Sequence, residues 1–588
     1  MKKLFLSLSI GVVTLGLGAG GYYLYANSTS PTYEYQLKDI TFEQLPAELA
    51  QKRLDPTQVK ITFTSSSKLK IFLDVYIAKF NDLQGQPLDL SFLNMSKLKD
   101  IDFLFAGKIN EYTMANGAVY FSCNPNDLRP LNIDFYTLDL SNITSMRGTF
   151  ACTTFTNDIS QLNVAKVKNM NSLFTSALSF NQDLSNWDVS NVTDMAFMFK
   201  ETPFNRNLST WDVSRVTDMT GMFAYTSDFN QELNFWDVSR VKSMQGMFLE
   251  AKSFNRDLDY WDVSRVENMT AMFMYAPVFN GNISTWDVKR VTSMHSMFHG
   301  AYQFNGDLSK WNVSRVTDMS RMFFLATNFN QDLSKWNVAR VTNMSQMFWQ
   351  ASKFSGDLSS WNVSKVTNMQ GMFGNAENFN GILRDWDVSQ VTDMSYMFIN
   401  AKNFRNNLSK WNVSQVKTMR AMFSGASFFW SDLSKWDVSQ VTDMSFMFNK
   451  AENFYGDLSN WDVSQVTNMR GMFQQATNFT SDLSKWQVGK VNNMANMFSY
   501  AVKFQCDLSN WDVSQVTDMR AMFSGAYRFT SNLSKWNVAQ VTNMEYMFAY
   551  AFRFRSDLRA WDVSRVLQSQ DIFLEARSFN LAYSPRFK

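Results

Sequence analysis

Apolar side chains recur along this chain with a period of 25 residues. Tryptophan marks the period most clearly, because sixteen tryptophans follow one another at spacings of 25 residues after a first spacing of 24. They are Trp187, Trp211, Trp236, Trp261, Trp286, Trp311, Trp336, Trp361, Trp386, Trp411, Trp436, Trp461, Trp486, Trp511, Trp536 and Trp561. A fixed period of this length is typical of proteins built from stacked repeats.

Each unit combines two hydrophobic spacings. Trp436 and Val438 show the two-residue step of a short strand. The apolar positions that follow recur at intervals of three and four residues, as in helical turns, when the adjacent pair Met447 and Phe448 is taken together; they are Val441, Met444, Met447, Phe448, Ala451 and Phe454. Thr442 and Asp443 are residue types that cap helix starts. The pattern therefore predicts a short strand, a tight turn, a helix of one to two turns and a polar loop in every unit.

The period also explains the unusual composition, which includes 53 Phe, 36 Met and 18 Trp. Thirty of the methionines fall in two columns of the repeat, next to a phenylalanine column that runs from Phe199 to Phe573. Thioethers are soft ligands that suit copper, but methionine beside phenylalanine in an apolar stripe favours core packing. The tryptophan column is likewise interpreted as stacked core aromatics and not as a sugar-binding platform.

The recurrent pattern F-N-x-D-L-S-x-W-D-V-S-x-V-T-x-M-x-x-M-F extends from about residue 88 to the end. It resembles the repeat of bacterial surface proteins, both the mycoplasma lipoprotein-like families and the BspA-type relatives of leucine-rich repeats. The resemblance implies an α/β repeat solenoid, a leucine-rich-repeat-like stack of short parallel strands and short helical turns; a parallel β-solenoid is the alternative. It also implies display at the cell surface, adhesion, and contact with host or neighbouring cells.

The chain divides into five segments. They are a signal peptide or N-terminal signal-anchor (1–29), a spacer and N-terminal cap (30–87), degenerate repeats with an insertion at 106–137 (88–186), the sixteen-unit repeat solenoid (187–580) and a C-terminal tail (581–588). In the cap, the pattern predicts a helix over 42–54, a strand over 59–64 and an amphipathic helix over 68–83.

The first segment predicts export. Lys2 and Lys3 precede an uncharged run from Leu4 to Ala26, which is long enough to cross a hydrocarbon core of roughly 30 Å as a helix. An uncleaved signal-anchor and a cleaved signal peptide both fit this run. We therefore expect a cell-surface protein that is either anchored in the membrane by this segment or secreted after cleavage.

Formal charges nearly cancel, with 55 Lys and Arg against 53 Asp and Glu. The chain as a whole therefore has no strong positive potential that would indicate binding of nucleic acid. The informative charges form a column four residues after the tryptophans. Seven consecutive repeats place a cation there, and the next four place Gln390, Gln415, Gln440 and Gln465. The cations are Arg215, Arg240, Arg265, Arg290, Arg315, Arg340 and Lys365.

Like charges on neighbouring strands repel, so this column requires neutralisation. One hypothesis is internal pairing with an acidic column, formed by Asp212, Asp237, Asp262 and Asp287. The other hypothesis is an acidic partner, such as a sulfated or sialylated glycan or an acidic surface protein, which binds by many weak contacts. The seven cations are thus the candidate ligand-binding residues.

Other candidate chemistry is sparse. The acids before the loop leucine are interpreted as turn formers and not as calcium ligands; they are Asp183, Asp257, Asp307, Asp332, Asp357, Asp432 and Asp457. His295 and His299 could form a metal pair, but surface variation is favoured. Cys123 and Cys152 can pair if the chain folds back, or remain free thiols.

The sequence therefore predicts a surface repeat protein that mediates adhesion or binds proteins or glycans through a long solenoid face. We predict no catalytic residue, metal site or cofactor. A structural or antigenic coat without a specific ligand is the first alternative. A glycan-active solenoid enzyme is the second, although units 211–560 lack the insertions that such a site needs.

Overall fold

The computed structural model describes residues 13–15, 22–24, 33–113 and 119–587. They belong to two compact units, Met1–Asn268 and Met269–Lys588. The first unit contains the non-repetitive elements and the first repeats, and the second contains repeats and a short C-terminal turn.

The predicted signal peptide or signal-anchor lies mostly outside the described residues. Within it, β1 (Val13–Leu15) and β2 (Tyr22–Leu24) pair antiparallel. Among the described residues, we find no helix with the length and apolar character needed to span a bilayer.

The segment predicted as a cap forms a small α/β layer in the first unit. Strands β3 (Tyr35–Lys38), β4 (Val59–Thr62) and β6 (Leu93–Asn94) make a parallel sheet in the order β3-β4-β6. Helix α1 (Ser66–Phe80) buries Phe72 and Tyr76. The predicted helix over 42–54 is wrong, because only a 3-10 turn at Phe42–Gln44 forms there.

The insertion carries short strands of its own. Strands β7 (Asn110–Thr113) and β8 (Val119–Ser122) pair antiparallel as a hairpin. Two short parallel pairings and one 3-10 turn accompany it: β5 (Leu88–Asp89) pairs with β10 (Ile133–Asp134), β9 (Arg129–Pro130) pairs with β11 (Thr153–Thr154), and the 3-10 turn lies at Phe135–Thr137. Cys123 and Cys152 form a disulfide with a Cα–Cα distance of 5.6 Å, which resolves the alternative left open by their spacing.

Successive repeats are joined by parallel bridges of single residues. In the first unit the bridges run through Asp100, Ser145, Asn169, Asp194, Asp218, Ser243 and Asn268. In the second unit they run from Ser293 through Asp318 and Asn343 to Gln568, and a 3-10 turn at Leu581–Tyr583 follows. Each unit is therefore a stack of coils, an arrangement compatible with a repeat solenoid.

The helix and the strand predicted for every repeat are absent from residues 187–580, all of which are described. The backbone N–H groups of Met444, Phe446 and Phe448 donate to carbonyls of the next coil at 2.7–3.1 Å. The alternate N–H groups close four-residue β-turns, as from Met447 to the Met444 carbonyl at 3.2 Å. Positive φ angles of 57° at Phe446 and 56° at Lys450 interrupt any helix.

The aromatic and methionine columns form the core, as predicted. Trp361 is 3% exposed, its indole N–H donates to the Leu333 carbonyl at 2.9 Å, and its ring stacks on Trp386 at 6.4 Å. Met369 and Met372 are fully buried. The indole hydrogen bond satisfies a buried polar group that would otherwise be costly, so tryptophan fits this column better than another aromatic residue.

Candidate functional site

The seven predicted cations are all exposed, and each follows a buried valine by two positions. They are divided between the units, with Arg215, Arg240 and Arg265 in the first and Arg290, Arg315, Arg340 and Lys365 in the second. The residue that follows tryptophan, three positions before each cation, is aspartate for the first four cations and asparagine for the last three. We call Arg315, Arg340 and Lys365 the cation row.

In the first unit, carboxylates lie beside the arginines. Asp212 accepts a hydrogen bond from the Ser214 backbone N–H at 3.0 Å. Hydrogen bonds from Ser214 lower the pKa of Asp212, and the charge of Arg215 lowers it further. Arg215 itself donates to the side-chain oxygen of Asn191 at 2.5 Å. At this coil the charge of Arg215 acts on Asp212, as the internal-pairing hypothesis expects, although no ion pair within 4.0 Å joins the two side chains.

In the second unit, the acid that matches Arg290 is Asp287, and it forms no ion pair with that arginine. Asp287 instead forms an ion pair with Lys289 in its own turn, with an N–O distance of 2.5 Å. Lys335 lies three residues after an acid, Asp332. Hydrogen bonds from Ser334 are the main cause of the lowered pKa of Asp332, and the positive charge of Lys335 lowers that pKa further. These lysines are therefore at least partly neutralised.

The cation row lacks this compensation. In its three coils the residue after tryptophan is asparagine: Asn312, Asn337 and Asn362. Each asparagine accepts the backbone N–H two residues on, as the aspartates of the other coils do. Within the described residues, no carboxylate oxygen lies within 4.0 Å of a side-chain nitrogen of the row. Three exposed positive charges consequently follow one another without a counter-charge in the neighbouring column.

A cleft of about 380 Å³ opens between two coils of the row. It is lined by Ser314, Arg315, Asn337, Ala339 and Arg340. Two guanidinium groups beside hydroxyl and carboxamide groups provide donors for an anionic group such as sulfate, carboxylate or phosphate.

The glutamine part of the same column behaves differently. Lys490 donates to Gln465 at 2.7 Å, and Lys417 donates to Gln440 at 2.9 Å. Here the few cations bond to neutral side chains of neighbouring coils, so the second unit does not present a uniform charged face.

The remaining candidates from the sequence have structural roles. The acids before the loop leucine accept backbone N–H groups two residues on, as from Ser434 to Asp432 at 2.9 Å, which confirms the turn interpretation. His295 hydrogen-bonds Ser320 at 2.7 Å, and His299 lies buried between the rings of Tyr275 and Phe324. No group of three His, Cys, Asp or Glu side chains suited to a metal ion occurs within the described residues.

The sequence interpretation missed the change from aspartate to asparagine beside the cation row. The signal was available, since Asp212, Asp237, Asp262 and Asp287 are followed in the same column by Asn312, Asn337 and Asn362. The significance of this change depends on the conserved turn geometry, because both residue types accept the same backbone N–H while only one carries charge.

Comparison with known families gives six matches along the chain. The family described as "Mycoplasma protein of unknown function, DUF285" matches residues 121–205, 200–297, 277–385, 381–486, 426–527 and 467–585. No curated protein is similar to the chain. Because the matches together extend over most of the sequence and follow its repeats, the chain belongs to this mycoplasma repeat family.

Proposed function

We propose that the chain is an exported surface repeat protein that binds acidic glycans through the cation row. The supporting observation is the set of three exposed charges on consecutive coils, Arg315, Arg340 and Lys365, beside asparagines where other coils carry aspartate. Such an array favours a linear polymer with repeated negative groups, because each weak contact raises the effective concentration of the next.

A sulfated glycan fits this row better than a single small anion. Neighbouring tryptophan rings beneath the row lie 6.3 Å apart, which sets the scale of the step from one coil to the next. Sulfates spaced along a flexible chain can contact successive coils, and guanidinium groups bind them by charge-assisted hydrogen bonds. The membership in a mycoplasma repeat family and the resemblance to BspA-type repeats support surface display and adhesion.

The test is retention of the full chain on immobilised heparin. We expect Arg315→Gln/Arg340→Gln/Lys365→Gln to bind about tenfold to hundredfold more weakly, since exposed ion pairs contribute about 0.5–1 kcal/mol each. Glutamine occupies the same column at Gln390 and Gln415, so the substitutions suit the fold.

The matched control is Arg215→Gln/Arg240→Gln/Arg265→Gln, which removes the same charge from coils that carry Asp212, Asp237 and Asp262. We expect this variant to keep most of its retention. Equal losses in both variants would show that net charge alone, and not the cation row, governs binding. Retention that does not depend on salt would show that charge does not govern binding at all.

Surface display is tested separately on intact cells. We expect external protease to digest the repeats without lysis, and cells that lack the protein to bind less heparin. Digestion only after lysis would contradict export. Surface exposure with unchanged heparin binding would favour the alternative of a coat protein without a specific ligand.

A further inference from the structure

A second polar cleft lies in the first unit, beside the insertion that carries the β7–β8 hairpin. It has a volume of about 340 Å³ and crosses four consecutive coils. The polar side chains that line it are Arg147, Asn169, Asn171, Asp194, Asp218 and Thr220. A cleft of this size is within the range of sites that hold small molecules.

Two carboxylates lie on neighbouring coils of this cleft. Asp194 and Asp218 are partners in a parallel bridge, and their column contains no other pair of consecutive acids in the sequence. Burial raises the pKa of Asp194 above its usual value, and the charge of Asp218 adds to the rise. Asp194 accepts the Ala196 backbone N–H at 2.9 Å and the Asn171 side-chain amide at 3.3 and 3.4 Å, whereas Asp218 accepts the Thr220 backbone N–H at 2.8 Å. Further acceptor capacity remains on both groups.

Arg147 brings the opposite charge to the same cleft. Its guanidinium lies over the rings of Phe103 and Phe121, at 5.5 and 5.0 Å from their centroids. Among the described residues, no carboxylate lies within 4.0 Å of this guanidinium, and no side chain accepts a hydrogen bond from it. The guanidinium and the two carboxylates thus line the same cleft, and each can still form hydrogen bonds with a ligand.

The insertion fixes the aromatic wall of the cleft. Tyr120 of the hairpin lies 6.1 Å from Phe197, a residue that also lines the cleft. The buried Lys200 donates to the Phe121 carbonyl at 3.4 Å and to Glu201 at 2.6 Å. These contacts hold the hairpin against coils that are far away in sequence.

We propose that this cleft binds a ligand carrying both an ammonium group and a carboxylate, such as a free amino acid or a peptide end. The ammonium group lies between Asp194 and Asp218, where it relieves their mutual repulsion. The carboxylate lies at Arg147, whose planar fork matches it. A bare metal ion is disfavoured, because the guanidinium lines the same small space.

The test measures binding of simple probes to the full chain by isothermal titration at pH 7. Glycine, β-alanine, 4-aminobutyrate and 6-aminohexanoate vary the distance between the two charges, ethylamine and acetate carry one charge each, and glycylglycine represents a peptide. We expect at least one of the two-charge probes to bind about tenfold more tightly than ethylamine and acetate.

The variant Asp194→Asn/Asp218→Asn should lose that binding about tenfold or more, and so should Arg147→Gln. Both changes suit the fold, since Asn169 and Gln245 occupy the corresponding columns. The matched control is Asp393→Asn/Asp443→Asn, which alters the same column on coils of the second unit that are not adjacent, and it should bind normally.

Three results would overturn the proposal: equal loss in the control, binding of ethylamine as tight as that of every two-charge probe, or binding of Ca²⁺ with no binding of any amine. Preference for glycylglycine over the free amino acids would identify the source of the ligand as a peptide. Circular dichroism of each variant, unchanged from the parent, assigns a loss of affinity to the cleft itself.

Discussion

At the scale of single residues, the turns of this protein keep the same backbone conformation whether the side chain that forms them is charged or neutral. Asp212 and Asn312 occupy equivalent positions and accept the same kind of backbone N–H, at 3.0 and 3.2 Å. Because the turn needs only a side-chain oxygen, aspartate and asparagine are interchangeable for folding. The surface charge of a coil can therefore change without any cost to the stack beneath it.

His299 makes the stability of the second unit depend on pH. It is 6% exposed, both ring nitrogens lack a hydrogen-bond partner within the described structure, and burial lowers its pKa to about 4, helped by the charges of Arg321 and His295. The rings of Tyr275 and Phe324 pack on either side of it. The unfolded chain binds a proton near pH 6.5, so stability falls as pH drops from 6.5 towards 4.

We therefore expect His299→Phe to remove most of this loss. The parent should lose up to about 3 kcal/mol of unfolding free energy between pH 7 and pH 4 from this residue. Phenylalanine suits the column, which contains Phe324 one coil on. Urea unfolding at both pH values measures the effect, and His295→Gln is the comparison. An identical pH dependence in His299→Phe and the parent would contradict the assignment.

At the scale of elements, the sequence predicted the ordinary elements better than the repeat. Strand β4 and helix α1 follow the predicted strand over 59–64 and helix over 68–83 within a few residues. In the repeat, however, consecutive turns generate the same apolar spacing as a helix. The positions with positive φ hold glycine in some coils, as at Gly471, and residues as varied as Phe446, Lys450 and Asn496 in others, so residue type marks these positions only in part. Hydrogen bonds to the next coil impose this backbone, and a single unit does not contain that information.

The disulfide between Cys123 and Cys152 secures the insertion. It closes a segment of 29 residues in sequence, and Phe121 next to it packs against Phe103 at 5.0 Å. We expect Cys123→Ser/Cys152→Ser to lose about 2–4 kcal/mol of local stability, since the cross-link restricts the unfolded chain. Hydrogen exchange of the amides of residues 119–122 measures the loss.

The comparison is best made in a Cys506→Ser background, which removes the third thiol. Cys506 is buried, burial raises its pKa to about 12, and its sulfur accepts the Leu483 N–H at 3.2 Å, as Ser481 accepts that of Leu458 at 2.8 Å. Serine therefore suits the position. Unchanged exchange of residues 119–122 after loss of the disulfide would show that packing alone holds the hairpin.

At the scale of the whole molecule, each repeat contacts mainly its neighbours, so stability is close to a sum over coils. We expect deletion of residues 437–461, which joins Trp436 to Asp462 in register, to leave a folded protein whose melting temperature falls by only a few degrees, about the effect of 1 kcal/mol. Deletion of 437–448 breaks the register of every column and should unfold the neighbouring coils. Thermal unfolding followed by circular dichroism compares the two, and similar damage from both would contradict the additive view.

The sites differ in how far the sequence could predict them. The alignment of Arg315, Arg340 and Lys365 follows from the period alone, because residues 25 apart lie in one column of the surface. The cleft in the first unit does not, since it depends on how the insertion packs. Arg147 is placed by Phe103 and Phe121, which belong to different segments, and Phe197 meets Tyr120 across 77 residues of chain. Such contacts require tertiary structure.

The alternation of backbone hydrogen bonds, half within a coil and half to the next, has a mechanical consequence. The backbone hydrogen bonds between two coils break only when one of the coils unfolds. We therefore expect tension applied within a unit to unfold its coils one at a time from an end. Each release adds about 80–90 Å of extended chain, the reach of 25 residues. A repeat array of this construction is therefore expected to lengthen in equal steps under load.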